Sequence, residues 1–364
     1  MAISDQAQLL EQADPALARY NRQMLWAPIG IEGQKKLAAS KVLMVGCGAL
    51  GTVLANTLAR AGVGDITIVD RDFIETNNLQ RQVLFDEDDI AAGYPKSVAA
   101  HKKISRINSA IRTEAIVADI NHHNIEQFAA GKDLLLDGTD NFETRFLIND
   151  VSIKLGIPWV YGACISAMGL AMVIRPGQTP CLRCIFETMP PPGMNPTCDT
   201  AGVLGPTVNI VASWQAMEAI KLLTGNLAEV STRLFSFDLW DNRFQQLNVS
   251  KARDIADCPC CKHHRYEFLS GQFASSTTSL CGRNAVQVAP PAGFKVDFEH
   301  VANGLRAVGQ PTYNKFMLKC TINEGAAAQA KQYELTLFAD GRAIIKGTHE
   351  TSVARSLYAK YVGA

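Results

Sequence analysis

The stretch KVLMVGCGALG, Lys41 to Gly51, is followed by the run DITIVD, which ends at Asp70. An apolar, branched run of this kind reads as a buried parallel strand. The glycines after it open a helix from about Ala49 to Ala61, and a second strand covers Ile66–Val69. Strand, glycine turn, helix, strand and acid make the first half of a Rossmann-like unit. Gly46, Gly48 and Gly51 let the backbone approach phosphates, while the helix N-terminus supplies partial positive charge. Asp70 stands where an acid bonds a ribose hydroxyl. These residues alone fit an NAD-dependent oxidoreductase as well as any other nucleotide protein, and also a glycine turn with no ligand.

Working outward, strands are expected near Glu114–Ala118, Asp133–Asp137 and Trp159–Gly162, with a helix from about Asn141 to Leu155. Later strands are expected at Gly169–Ile174, Leu234–Phe237 and Arg243–Val249. Glu187–Gly205 is rich in Pro and Gly and reads as a crossover loop, and a helix over Val208–Leu223 stops at Gly225. The expected fold class is α/β: a Rossmann-like, mostly parallel sheet flanked by helices and extended by an antiparallel part. The expected domains are an N-terminal extension (1–19), an α/β domain (20–265), a linker (266–280) and a small α+β domain (281–364). In the last, a helix is expected over Asp297–Val308. A hairpin in YELTLFADGRAIIKG would turn at Asp340-Gly341, and a final helix would cover Ser352–Tyr361.

The 364 residues balance 35 Lys plus Arg against 35 Asp plus Glu, which argues against a general nucleic-acid or anionic-membrane binder. No apolar run approaches the length of a membrane span, and the first twenty residues are polar and acidic, so the cytoplasm is the expected address.

Past Asp70 comes Asp72-Phe-Ile-Glu-Thr-Asn-Asn78-Leu-Gln-Arg81-Gln82, and then Tyr94-Pro95-Lys96. A nicotinamide enzyme needs no cationic cluster beyond the diphosphate, whereas Arg81 and Lys96 suit a triphosphate. Asp140, in Gly138-Thr139-Asp140-Asn141, follows a strand end, where a carboxylate can hold Mg²⁺. The plainer alternative is that Arg81 and Lys96 are solvated and that Asp140 only caps the next helix.

RYNRQ at Arg19–Gln23, VGCGALG, IVDRDFIETNNLQRQ, YPK, DGTDNFETR and CDTAGVLGP together resemble the ThiF/MoeB/HesA adenylyltransferases, bacterial relatives of ubiquitin-activating enzymes. The resemblance covers roughly Tyr20 to Cys261. It implies ATP and Mg²⁺ as ligands, and adenylation of the C-terminal Gly-Gly of a ubiquitin-like sulfur carrier. The carrier serving thiamine thiazole synthesis is the leading expectation, and a molybdopterin-type carrier the alternative. By the same resemblance Gly46, Gly48 and Gly51 line the phosphates, and Asp70 holds the ribose. Asn78, Arg81 and Lys96 contact the phosphates, and Asp140 places the metal. Asp72, Gln82, Thr139 and Asn141 complete the expected nucleotide set. Arg22 would reach the neighbouring subunit's ATP, which implies a homodimer. One departure is Gly138, where relatives usually carry Cys. A cysteine desulfurase or another sulfur donor is a second expected partner. A non-catalytic binder of a ubiquitin-like protein remains a different class.

Cys181-Leu-Arg-Cys184 and Cys258-Pro-Cys-Cys261 form two knuckles suited to tetrahedral Zn²⁺. A redox pair, or exchange with Cys260, His263 or His264, are the rivals; the resemblance favours zinc. Cys198 lies where some relatives place a thiol that attacks the acyl-adenylate, and it is the candidate covalent nucleophile. Cys47, inside the phosphate turn, reads as a packing residue. The C-terminal region is too short for a rhodanese domain and ends in Val-Gly-Ala364, not Gly-Gly. Packing or dimer support is expected of it, with carrier or donor docking as the alternative.

Overall fold

A computed structural model describes residues 15–189, 201–273, 277–280, 284–288, 296–324 and 331–363. They fall into two compact units: one takes the described residues up to Phe273 apart from Ala201, and the other takes Ala201 and those after Phe273.

The first unit is built on an eight-stranded sheet in the order β3-β2-β1-β4-β5-β6-β7-β8. The strands are β1 (Lys41–Val45), β2 (Asp65–Val69), β3 (Arg112–Ile116), β4 (Leu134–Asp137), β5 (Trp159–Ile165), β6 (Met168–Ile174), β7 (Arg233–Asp238) and β8 (Arg243–Asn248). β3 through β5 in that order pair in parallel, and β5 to β8 pair antiparallel. The apolar run in β1 is explained by burial on both faces. Val42 and Met44 pack with Leu54 and Leu58 of the Ala49–Ala61 helix and with Val211 and Ala212 of the Gly205–Thr224 helix. Leu43 and Val45 face the other way, towards Phe146 and Val151 of the Phe142–Leu155 helix. Each such fully buried side chain contributes about 1.5–3 kcal/mol. The expected Val208–Leu223 helix begins earlier, at Gly205, because Pro206 is tolerated in a first turn.

Strand order reverses at β1, which lies between β2 and β4. Ligands of open α/β sheets bind in the crevice this creates beyond the strands' C-terminal ends. There Gly46 N–H donates to the Val69 carbonyl at 2.8 Å and Gly138 N–H to the Val45 carbonyl at 2.8 Å.

Within 266–273, a span that composition assigns to a linker, Phe268 and Leu269 are buried in the first unit's core. Phe146 stacks on Phe268. The second unit is a six-stranded antiparallel sheet in the order β11-β12-β13-β14-β10-β9. Its strands are β9 (Thr277–Leu280), β10 (Ala285–Val288), β11 (Thr312–Tyr313), β12 (Met317–Glu324), β13 (Lys331–Phe338) and β14 (Ala343–Lys346). β13 and β14 form the expected hairpin, with Gly341 at φ +87° in its turn. The Phe298–Leu305 helix, capped by Asp297, and the Thr351–Tyr361 helix share one core with this sheet. Among the described residues no helix is long and apolar enough to cross a membrane.

Candidate functional site

Gly46 has φ +89°, and a Cβ there would lie 2.6 Å from the Gly138 carbonyl oxygen. A Cβ on Gly51 would lie 2.2 Å from the Gly46 carbonyl oxygen, and one on Gly138 2.4 Å from the same atom. The loops after β1 and β4 are therefore packed backbone to backbone, and Gly138, the departure from the family pattern, belongs to that contact.

Gly48 differs. Its Cβ would meet only Gln82 Nε2, at 3.8 Å, so the loop opens outward there. Gly48 is also the N-cap of the Ala49–Ala61 helix, and among the described residues no side chain caps that end. Uncapped first-turn amides suit an anion. Gln82 is buried beside this opening, and its Oε1 has no hydrogen-bond partner among the described residues. A buried polar atom left unpaired costs free energy that a bound ligand can offset.

Asp70 is almost wholly buried and shapes the turn. Its Oδ2 accepts the Cys47 N–H at 2.6 Å and its Oδ1 the Asp72 N–H at 2.7 Å. Burial pushes its carboxyl above the usual range; Asp72 adds to this, while the Lys96 ammonium and the two amides oppose it. Cys47 is fully buried, and burial, then Asp70, push its thiol well up, as expected of a packing residue.

Lys96 heads the Lys96–Ile107 helix and is only 4% exposed. Its ammonium lies 3.4 Å from Asp72 Oδ2, and its N–H donates to the Asp72 carbonyl at 2.9 Å. A bridge between Phe73 and Pro95 ties the same two segments together. A buried ammonium is retained only where anions surround it. Arg81 is half-buried and donates from Nη1 to the Asn77 carbonyl at 2.7 Å. Asn78 builds the turn before it, since its Oδ1 accepts the Glu75 N–H at 3.2 Å.

On the β4 side, Thr139 donates from N and Oγ1 to Asp137 Oδ1 at 2.9 and 2.8 Å. Asn141, not Asp140, caps the next helix: its Oδ1 accepts the Thr144 N–H at 2.8 Å. Asp140 is left exposed, with no hydrogen bond or ion pair among the described residues, in the fields of Arg71 and Arg145. A free carboxylate oxygen is the donor type that Mg²⁺ takes.

Two arginines with no obvious role in the sequence hold this edge. Arg145 Nε pairs with buried Asp137 Oδ2 at 3.1 Å, and Nη2 donates to the Thr139 and Gly162 carbonyls at 2.7 and 3.0 Å. Arg71 pairs with Asp119 at 2.8 Å. Arg145 lies four residues after the cap at Asn141, a spacing that could have placed it on the inward turn.

Arg22 stands apart. It is exposed on the short Asn21–Met24 helix and makes no hydrogen bond or ion pair among the described residues. Its neighbours anchor that helix: Gln23 Nε2 donates to the Ala61 carbonyl at 3.0 Å, and the Tyr20 hydroxyl accepts from Asn108 Nδ2 at 2.8 Å. Cys198 lies outside the described residues.

Cys181, Cys184, Cys258 and Cys261 converge, all four sulfurs lying within 4.8 Å of one another. The Sγ···Sγ separations are 3.8 Å for Cys181–Cys184, 3.5 Å for Cys181–Cys258 and 3.4 Å for Cys184–Cys261. Zn–S bonds of about 2.3 Å in a tetrahedron require sulfurs roughly 3.8 Å apart, so the donor set fits zinc. Of the rivals, the two histidines are engaged elsewhere, His263 with Asp257 at 2.6 Å and His264 with the Tyr266 hydroxyl at 3.1 Å, whereas Cys260 accepts from Asn149 Nδ2 at 3.3 Å and also interacts with Cys181.

The chain is 41% identical over 346 residues to the sulfur carrier protein ThiS adenylyltransferase of Bacillus subtilis, covering 95% of this chain and 99% of that one. It is 37% identical over 250 residues to a sulfur carrier protein adenylyltransferase of Thermus thermophilus, covering 67% and 90%. Among solved structures it resembles E. coli MccB crystallised with MccA-N7isoASN, at TM-score 0.60 and 23% identity over 68% of this chain and 75% of that one. That likeness speaks for the fold alone. The ThiF family pattern matches residues 20–260, and with an alignment at 41% identity along nearly its whole length, the chain belongs to the ThiF family.

Proposed function

We propose that the chain is an ATP-dependent adenylyltransferase acting on the C-terminal carboxylate of a ubiquitin-like sulfur carrier, of the kind its Bacillus subtilis relative is named for. The observation that carries the reading is the uncapped helix end at Gly48, flanked by the orphaned Gln82 oxygen and the buried Lys96 ammonium. A dinucleotide reading has no use for Lys96, Arg81 and an exposed Asp140 carboxylate at one strand-end crevice.

In this reading the triphosphate lies against the Gly46–Gly51 loop, with Asp70 at the ribose. Lys96 and Arg81 take up the phosphate charge, and Asn78, Gln82 and Thr139 line the crevice. Asp140 would hold Mg²⁺, which screens phosphate charge when bound. The carrier's carboxylate is already ionised near pH 7, so no general base is needed. Its oxygen bonds to the α-phosphorus as the bond to the bridging oxygen breaks, releasing pyrophosphate and leaving an acyl-adenylate. Catalysis then rests on positioning and on charge stabilisation.

Zinc at the four cysteines would join the Cys181–Cys184 turn to the Cys258–Cys261 turn, a structural role. Arg22, exposed and with no hydrogen bond or ion pair among the described residues, is proposed to reach a second copy's nucleotide in a homodimer. Cys198 is proposed as the thiol that can receive the acyl group, with a cysteine desulfurase or similar donor supplying sulfur. The test is carrier-dependent exchange of labelled pyrophosphate into ATP. Exchange that requires a carrier ending in Gly-Gly supports the reading; ATP binding without exchange for any carrier would leave only a binding protein.

A further inference from the structure

Because β1, β4 and β5 run in parallel, their first residues lie together at the sheet end away from the phosphate loop. A cavity of about 480 Å³ opens there, bordered by Ser40 ahead of β1, Asp133 ahead of β4 and Pro158 ahead of β5. That volume suits a small molecule of one or two rings. All of its lining belongs to the first unit. The five residues of β1, at roughly 3.3 Å each, put roughly 17 Å between it and the nucleotide crevice.

Lys36 and Arg175 line this cavity from different elements. Lys36 belongs to the Gly30–Ala39 helix, and its ammonium donates to the Thr224 carbonyl at 3.0 Å, where the Gly205–Thr224 helix ends. Arg175 follows β6, and its Nη1 donates to the Leu227 carbonyl at 3.4 Å. A turn holds the Arg175 backbone: its N–H donates to Thr179 Oγ1 at 2.8 Å, and its carbonyl accepts the Thr179 N–H at 3.0 Å. Neither cation has a carboxylate partner among the described residues. Each meets a carbonyl, which carries only a partial charge, and keeps further N–H donors for a ligand. Asp133 brings the opposite charge, but its Oδ2 is engaged by the Lys41 N–H at 2.7 Å. Leu223 and Leu227 add apolar surface to the same cavity, and Leu227 is 46% exposed.

We propose that this cavity is a second ligand site, taking a small organic anion with an apolar ring body. The acid group lies between Lys36 and Arg175, where hydrogen bonds to an ionised acceptor are of the strong kind. The ring covers Leu223 and Leu227 and removes apolar surface from water. The site shares no residue with the nucleotide crevice, so either reading can fail without the other.

The test is calorimetric titration of the full chain with 2-naphthoate, with and without saturating ATP and Mg²⁺. One molecule should bind per chain in both conditions, with a dissociation constant below about 1 mM. Naphthalene-2-carboxamide, which lacks the charge, and acetate, which lacks the ring, should each bind at least roughly tenfold more weakly. Lys36→Met and Arg175→Met should each raise the naphthoate dissociation constant roughly five- to tenfold, in chains that still melt cooperatively. No binding of naphthoate, equal binding of the carboxamide, or an affinity unmoved by both substitutions would overturn the site. Displacement of naphthoate by ATP would move it to the nucleotide crevice and overturn the site as well.

Discussion

Gly48 and Gly51 stand three residues apart in one loop, yet substitution should separate folding from nucleotide binding. In Gly51→Ala the new methyl would sit 2.2 Å from the Gly46 carbonyl oxygen, inside the contact that seats β1 against β4. Overpacking of that kind costs typically about 1–3 kcal/mol. For a unit of this size, about 2–4 °C is lost per kcal/mol, so the melting temperature should fall by roughly 2–12 °C. In Gly48→Ala the methyl meets only Gln82 Nε2, at 3.8 Å. Its cost should stay near that of an ordinary surface change, about 0.5 kcal/mol or less. The methyl would nonetheless occupy the opening where phosphates approach, and a loss of about 1.4 kcal/mol in binding is a tenfold rise in the ATP dissociation constant. Scanning calorimetry and ATP titration of both variants check the pair. Unchanged ATP affinity in Gly48→Ala, at an unchanged melting temperature, would refute the placement of the triphosphate.

Three further outcomes are expected. Elemental analysis should find about one zinc per chain, and Cys258→Ser should lose it and melt lower; a zinc-free native chain indifferent to chelators would contradict the site. Arg145→Met orphans the buried Asp137 carboxylate and should cost about 3–5 kcal/mol in urea unfolding, of which adding Asp137→Asn recovers part. Burial pushes the Asp150 carboxyl up to about 6 from 3.8, while Cys260, the Leu269 and Phe268 amides and Arg183 oppose it. The folded state then holds that proton more tightly than the unfolded chain. Its contribution, about 3 kcal/mol, is present below pH ~4 and lost as pH rises through ~6. Asp150→Asn should flatten that slope in a pH series of unfolding curves.

What could be read from sequence followed local, two-sided burial. The β1 run, its glycines and the Asp70 strand are legible because the burial period and the turn chemistry sit in adjacent residues. The Ser/Thr-rich run that reads as a linker instead supplies β9, whose Thr277 pairs with Val288. Small polar residues carry little strand signal away from their partner strand. Phe268 and Leu269 join the core only once the Phe142–Leu155 helix is there to receive them. In the candidate site, the sequence names single residues but not their pairings. Arg71 meets Asp119 across 48 residues of chain, and which loops meet is decided by the strand order. The order of Asp140 and Asn141 shows the same limit, since either can cap a helix and only backbone geometry assigns the cap to Asn141.

The central claim is transfer of an adenylyl group to a carrier's terminal carboxylate. It is tested most directly by incubating the chain and a Gly-Gly-ending carrier with ATP labelled at the α-phosphorus and, separately, at the γ-phosphorus. The account predicts carrier labelled from the α position only, lost when the last glycine is removed and abolished in Arg81→Ala. Label arriving from the γ position, or full transfer by Arg81→Ala, would contradict it.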